Sequence, residues 1–281
     1  MTWAGAARGL SVTEKTRGKR RRELWRIFHS FAGRLPASTG VLAWRMEQTL
    51  SRPRTAGPWF GLSSPFAEAV AGQQLGISAD PSAINTWLFS QVSAGGIVFH
   101  PRDYFLGGGE WSALTSPLAL SNLDQEVRDL IACGGDVRAA PVFATLCAML
   151  AQSQGTCFHN GVWFRSSLDI EAYLKSHAAL IQSIKTHGVL RRADALKLGH
   201  RRVSPLEIRE TDAGVAVSAD GNLLRYRGGF HRVAIARELG LRSMPVAVRL
   251  VHADWLRLQM RETGLDAMPA LFAGLKRLSA G

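Results

Sequence analysis

The sequence predicts an α/β protein of the α+β kind, with a helical N-terminal half preceding a smaller domain of strands and helices. Three observations carry this. Apolar residues recur at helical spacing up to about residue 185, short β-type runs separated by Gly and Asp-Gly turns follow after about residue 205, and 46% hydrophobic residues in 281 suffice for a buried core. The division expected is a basic helical arm over 1–35, a mainly helical region over 36–160, the mixed domain over 161–256 and a helical tail over 257–281.

Leu24, Phe28, Phe31 and Leu35 recur at intervals of four, three and four among Lys15, Arg17, Lys19, Arg20, Arg21, Arg22 and Arg26, the pattern of a basic amphipathic helix. Such a helix either reaches out to nucleic acid or anionic lipid, or packs its stripe on the rest of the protein. Pro36, Pro53 and Pro58 then read as a loop or linker over 36–61, whose Trp44, Trp59 and Phe60 argue that it docks. Asp80-Pro81 is a helix start, with Asp as N-cap, and the helix is expected to run to about Ser93 before Gly95-Gly96. Gly107-Gly108-Gly109 reads as a second flexible loop.

Ser121 to Ala132 is a capped helix with Asp124 and Glu126 in its first turn, and Val137 to Ala151 is another. Asn160-Gly161 between Cys157–His159 and Val162–Phe164 predicts a hairpin. Cys157 and His159 share a face of it, too few ligands for zinc. Asp169 caps a helix to Lys185 with the stripe Ile170, Tyr173, Leu174, Leu180, Ile181 and Ile184, ended by Gly188. Leu206–Ile208, Val215–Val217 and Leu223–Tyr226 are strand candidates, the last two joined by the turn Ala219–Asn222.

An excess of 34 Lys and Arg over 22 Asp and Glu, a net +12, favours anionic partners: nucleotides, nucleic acid or an acidic membrane surface. Cys133, Cys147 and Cys157 show no paired spacing, which fits a reducing cytoplasm better than a disulfide framework. No apolar window is long enough to span a bilayer, so membrane association is expected only at the periphery.

The densest chemistry lies in Arg225 to Arg232. A strand ends at Gly228-Gly229 and a helix opens with Phe230, His231 and Arg232, so the glycines admit a ligand close to the backbone and the helix turns free N–H groups and its positive end toward it. Arg232 can fork two phosphate oxygens, His231 donate to a third, and Arg225 and Arg227 add charge from one strand face. The bland alternative is a tight turn in which His231 bonds backbone and Arg232 forms a surface ion pair. Asp220, in the preceding turn, is the nearest carboxylate in sequence; Lys185 reads as a helix-dipole partner and His252 is ambiguous.

From about 169 to 252, the order helix with Ile181-x-x-Ile184-Lys-Thr-His-Gly188, strand, Asp220-Gly221 turn, strand, Gly228-Gly229-Phe-His231-Arg232, helix ending Glu238-Leu-Gly-Leu241, and Met244-Pro-Val-Ala-Val248 resembles the ParB and sulfiredoxin superfamily. The resemblance implies a small mixed sheet and a nucleotide (CTP, ATP or ADP), with magnesium as its companion. It implies phosphate contacts from Gly229, His231 and Arg232; the chemistry of the turn adds Gly228, Phe230 and Arg227 as binding candidates, and His231, Arg232 and Asp220 are the catalytic candidates for phosphoryl transfer or nucleotide hydrolysis. No protein-held metal site is predicted. Phe230 stands where sulfiredoxins carry their catalytic cysteine, which argues against sulfinic-acid reduction, and the acidic residue of the partition proteins' Gly-Glu-Arg-Arg box is missing. The alternative is a non-catalytic nucleic-acid-binding protein using Lys15 to Arg26.

Overall fold

The computed structural model describes residues 38–51, 57–89, 92–94, 97–153, 155–191, 194–195 and 212–280; the basic arm and the Leu206–Ile208 strand lie outside the described residues. In the segment expected to be a linker, Leu42, Met46 and Leu50 recur every four residues and bury one face of helix α1 (Ser38–Leu50). Strand β1 (Trp59–Ser63) leads into α2 (Ser64–Ala71), whose first turn is capped by Ser63 accepting from the Phe66 N–H at 3.3 Å. Strand β2 (Gly76–Ala79) follows.

Asp80 does cap, accepting from the Ser82 N–H at 2.8 Å, but it starts only a single 3-10 turn, Pro81–Ala83, and no helix runs to Ser93. The chain continues instead as strands β3 (Thr86–Leu88), β4 (Val92–Ala94) and β5 (Ile97–Phe99), segments rich in β-branched and aromatic residues. Strand β6 (Tyr104–Gly108) replaces the flexible loop expected at the glycines. Their reason is steric: a Cβ on Gly107 would lie 2.7 Å from the Phe60 ring, and one on Gly108 2.6 Å from the Trp59 ring, because β1 lays both aromatics across its neighbour. Strand β7 (Thr115–Pro117) follows.

Helix α3 (Asn122–Ala132) stands as expected, capped by Ser121, whereas α4 (Pro141–Gln152) begins four residues after the Val137 start expected, with Pro141 in its first turn. Strands β8 (Cys157–His159) and β9 (Val162–Phe164) form the hairpin, turned at Asn160 and Gly161 with φ of 45° and 88°. Helix α5 (Ser167–His187) has Ser166 as its cap, and Asp169 is the reciprocal member of a capping box, so the Asp169 cap shifts by one residue type and three positions. Strands β10 (Gly214–Val217) and β11 (Leu223–Arg225), helix α6 (Phe230–Glu238), strand β12 (Met244–His252) and helices α7 (Ala253–Thr263) and α8 (Ala267–Ala280) complete the described chain.

The fold is mixed α/β around one mixed sheet, in the order β1-β6-β12-β10-β11-β3-β7, with β2 also paired to β12. Strand β12 runs parallel to β6 and β10, and β10 and β11 are antiparallel. Region 36–160 is thus neither mainly helical nor separate, since its strands build both flanks of the sheet whose centre comes from 214–252. At the C-terminal end α8 packs on β2 and α1, and Ser279 accepts from the Ser78 N–H at 3.0 Å. No helix among the described residues is long and apolar enough to cross a membrane.

One ion-pair group fixes α5 against the turn before α4. Arg138 donates to Glu171 Oε2 at 3.0 and 2.7 Å, and Lys175 lies 2.8 Å from Oε1. These hydrogen bonds pull the Glu171 carboxyl down to about 2 from its ordinary 4.5. A depressed carboxyl stabilises the fold above pH 4.5 and loses that contribution as pH falls toward 2. An NMR titration should therefore place the Glu171 midpoint near 2 and return it toward 4.5 in Arg138→Ala; an ordinary midpoint in the parent protein would remove the pairing.

Candidate functional site

The backbone entering α6 is left-handed at three successive residues: Arg227, Gly228 and Gly229 have φ of 41°, 76° and 65°. This turn sends the chain from β11 into the helix, where the Val233 N–H bonds the Gly229 carbonyl at 3.0 Å. A Cβ on Gly229 would lie 2.5 Å from Ala213 Cα. Its bare side therefore faces neighbouring backbone, and the glycine serves chain packing, not the close approach of a ligand as the sequence suggested.

The other sequence candidates separate. Arg227 donates to Ser64 Oγ at 3.0 Å and the Arg102 carbonyl at 2.9 Å, and lies 3.5 Å from Glu68, so it is committed to α2 and its surroundings. Arg225, only 2% exposed, lies over the Trp87 and Phe230 rings at 5.1 and 4.8 Å, facing the interior. Burial pushes its guanidinium down to about 10, against the attraction of Asp124. Asp220 sits in the turn between β10 and β11, at the hairpin end opposite Gly228, and lines a cavity of about 850 Å³ with Glu110, Asp254, Asn85 and Asn222. No residue from 225 to 232 is among those lining it, so Asp220 does not join His231 and Arg232. Lys185 occupies the last turn of α5, and His252 caps α7 by accepting from the Asp254 N–H at 3.1 Å.

Arg232 follows His231 in the first turn of α6 and is half-buried. His231 meets a group that sequence spacing did not unite. Its Nε2 is 3.3 Å from the Tyr173 hydroxyl and 3.8 Å from Glu126 Oε1, and its ring stacks on His177 with centroids 3.8 Å apart. Tyr173 donates to Glu126 Oε1 at 3.0 Å, so its oxygen accepts the His231 Nε2–H and the three form a relay. On the far oxygen, Glu126 Oε2 is 2.7 Å from His159 Nε2 and accepts from Asn160 Nδ2 at 3.1 Å. His177 Nδ1 lies 3.3 Å from Oε1 but makes no hydrogen bond with it or with any other described residue.

Helices α3, α5 and α6 pack on one another and bring Glu126, Tyr173, His177 and His231 to one point, which the β8–β9 hairpin closes with His159 and Asn160. Burial alone would raise the Glu126 carboxyl, yet its contacts with His159, His177 and His231 hold it far below the usual carboxylate range. Burial, and then the Glu126 charge, raise Tyr173, keeping it a phenol that donates. Burial also lowers His177, with the neighbouring His231 adding to it against the pull of Glu126.

Sequence spacing put Glu126 in the first turn of its helix, where only Asp124 lies; it placed Tyr173 in the apolar stripe, where the ring does pack but its hydroxyl joins the site, and it noted His159 only as sharing a hairpin face with Cys157. His177 carried no expectation at all. A signal was present: Leu123, Glu126, Val127 and Leu130 share one helix face, so a carboxylate stands within the apolar stripe and needs partners. Tyr173 and His177, four apart on α5, are neighbours on one face and supply two of them. No family model, curated protein or solved structure matches the chain.

Proposed function

We propose that the chain binds a nucleotide or another phosphorylated small molecule at the mouth of α6 and acts on it by phosphoryl transfer or hydrolysis. The observation that carries this reading is the double position of His231. It is the second residue of a helix whose first turn holds no acidic residue, so the positive end of that helix is not neutralised from within. The same imidazole is oriented by a phenol and a buried carboxylate, as an acid–base residue is oriented in catalysis. Phosphate oxygens at the helix mouth would meet the N–H groups and Arg232, and His231 would carry the proton of the attacking or leaving oxygen. Arg227 and Asp220 have no part in this version, since neither reaches the mouth.

Titration of the full chain with CTP, ATP and ADP tests it. One of the three should bind, and Arg232→Ala should weaken that binding at least about 10-fold with the fold intact, as expected for a charge-assisted phosphate contact of ~1.5 kcal/mol or more. Equal affinity in the variant, or no binding of any nucleotide, would remove the reading. The nucleic-acid alternative rests on the +12 charge and the Lys15 to Arg26 run; binding that weakens steeply with salt and disappears on deletion of 1–35 would favour it instead.

A further inference from the structure

We infer that Glu126, His177 and His231 form a binding site for a divalent metal ion of the zinc, cobalt or manganese type, through Glu126 Oε1, His177 Nδ1 and His231 Nε2. The inference rests on helix packing and stands apart from the nucleotide reading. The three residues offer ligand atoms within 4.8 Å of one another. Glu126 Oε1 is 3.3 Å from His177 Nδ1 and 3.8 Å from His231 Nε2. An ion about 2.1 Å from each ligand needs neighbouring ligand atoms about 3.0 Å apart in octahedral and about 3.4 Å in tetrahedral geometry. The first spacing already satisfies this, while the second, and the spacing between the two imidazole nitrogens, which lies within 4.8 Å, close to these values by a turn of the His231 side chain toward the carboxylate. The two rings are stacked with their planes 26° apart, and both present a nitrogen on the side of the carboxylate.

His177 Nδ1 is buried, faces a carboxylate oxygen and makes no hydrogen bond with a described residue. The buried nitrogen and the carboxylate oxygen thus face each other across 3.3 Å with no hydrogen bond joining them. A metal ion between them satisfies both and also the His231 nitrogen, which then exchanges its Tyr173 contact for the metal.

The surroundings fit a ligand set held in advance. His159 and Asn160 occupy Oε2 of Glu126 and Tyr173 bonds Oε1, fixing the carboxylate from outside the three ligands. Each ligand stands on a different packed helix, so no loop has to order on binding. Two imidazoles and one carboxylate are the donors that zinc, cobalt and manganese accept. Three protein ligands leave a position open, and His231, with its side chain 23% exposed against 2% for Glu126, marks the side from which a water or a phosphate oxygen enters. That side is the mouth of α6.

The test is calorimetric titration of the chelator-stripped full chain with Zn²⁺, Co²⁺ and Mn²⁺ separately, without nucleotide. One equivalent of at least one metal should bind, and Glu126→Gln and His177→Ala should each weaken that equivalent at least about 100-fold, with His159→Ala weakening it about 10- to 100-fold as an outer-sphere group does. Circular dichroism reports whether each variant folds; should His177→Ala not fold, the near-isosteric Glu126→Gln decides. Absence of a one-equivalent site for all three metals, or equal binding in folded Glu126→Gln, overturns the inference. Nucleotide titration in excess chelator is read separately, so failure of the metal site and failure of nucleotide binding are distinguishable.

Discussion

Replacing Gly229 with alanine is expected to destabilise the protein by about 2 to 5 kcal/mol, the sum of a left-handed backbone penalty of about 1 to 2 and an overpacking cost of about 1 to 3. At this position the new methyl would lie 2.5 Å from Ala213 Cα and 2.7 Å from its Cβ, and the obstacle is mainly backbone that leads directly into β10. The comparison is Gly134→Ala. Gly134 has φ of 62° and no described atom within 4 Å of an added Cβ, so only the dihedral cost of about 1 to 2 kcal/mol applies. Urea unfolding of the two variants separates the contributions through their midpoints. Equal losses would mean that Ala213 yields without cost, and the packing role assigned to Gly229 would fall.

Removing the Glu126 side chain, as in Glu126→Ala, should cost about 3 to 5 kcal/mol, the range for breaking a buried charged group away from its partners. The Tyr173 hydroxyl, the Asn160 amide and the His159 ring all lose their acceptor at once, inside a site where water replaces it poorly. An exposed pair gives the scale: Arg128 meets Glu238 at 2.7 Å with half its side chain exposed, and Arg128→Ala should cost no more than about 1 kcal/mol. A Glu126→Ala loss as small as that of Arg128→Ala would show that the three helices do not depend on their shared carboxylate. Chemical denaturation of both variants under one buffer condition decides this.

What could be read from the sequence was what local chemistry alone decides. The Asn160-Gly161 hairpin, the Ser121-capped α3, the Gly188 stop of α5 and the strand-to-helix turn at Gly228-Gly229 all depend on residues within a few positions, and all stand in the structure. The helix expected from Asp80 does not form, because Trp87 pairs with Arg225 of β11, some 140 positions away, and that pairing outweighs the local start signal. Glycines at 107 and 108 read as flexible for the same reason: the aromatic rings that need their bare faces come from β1. The site followed the same division. His231 was found through its turn, whereas Glu126, His159, Tyr173 and His177 come together only when three helices and a hairpin pack.

The position of β12 has a consequence for how the protein reaches its native form. Strand β12 joins β6, β10 and β2, so the middle of the sheet is supplied by residues 244–252 while one flank is supplied by 59–108. On a ribosome the early flank emerges first and waits with an open edge until the later residues arrive. Such distant pairings form slowly and leave unpaired edges exposed to other chains, so crowding during synthesis bears hardest on the β6 edge that β12 finally covers.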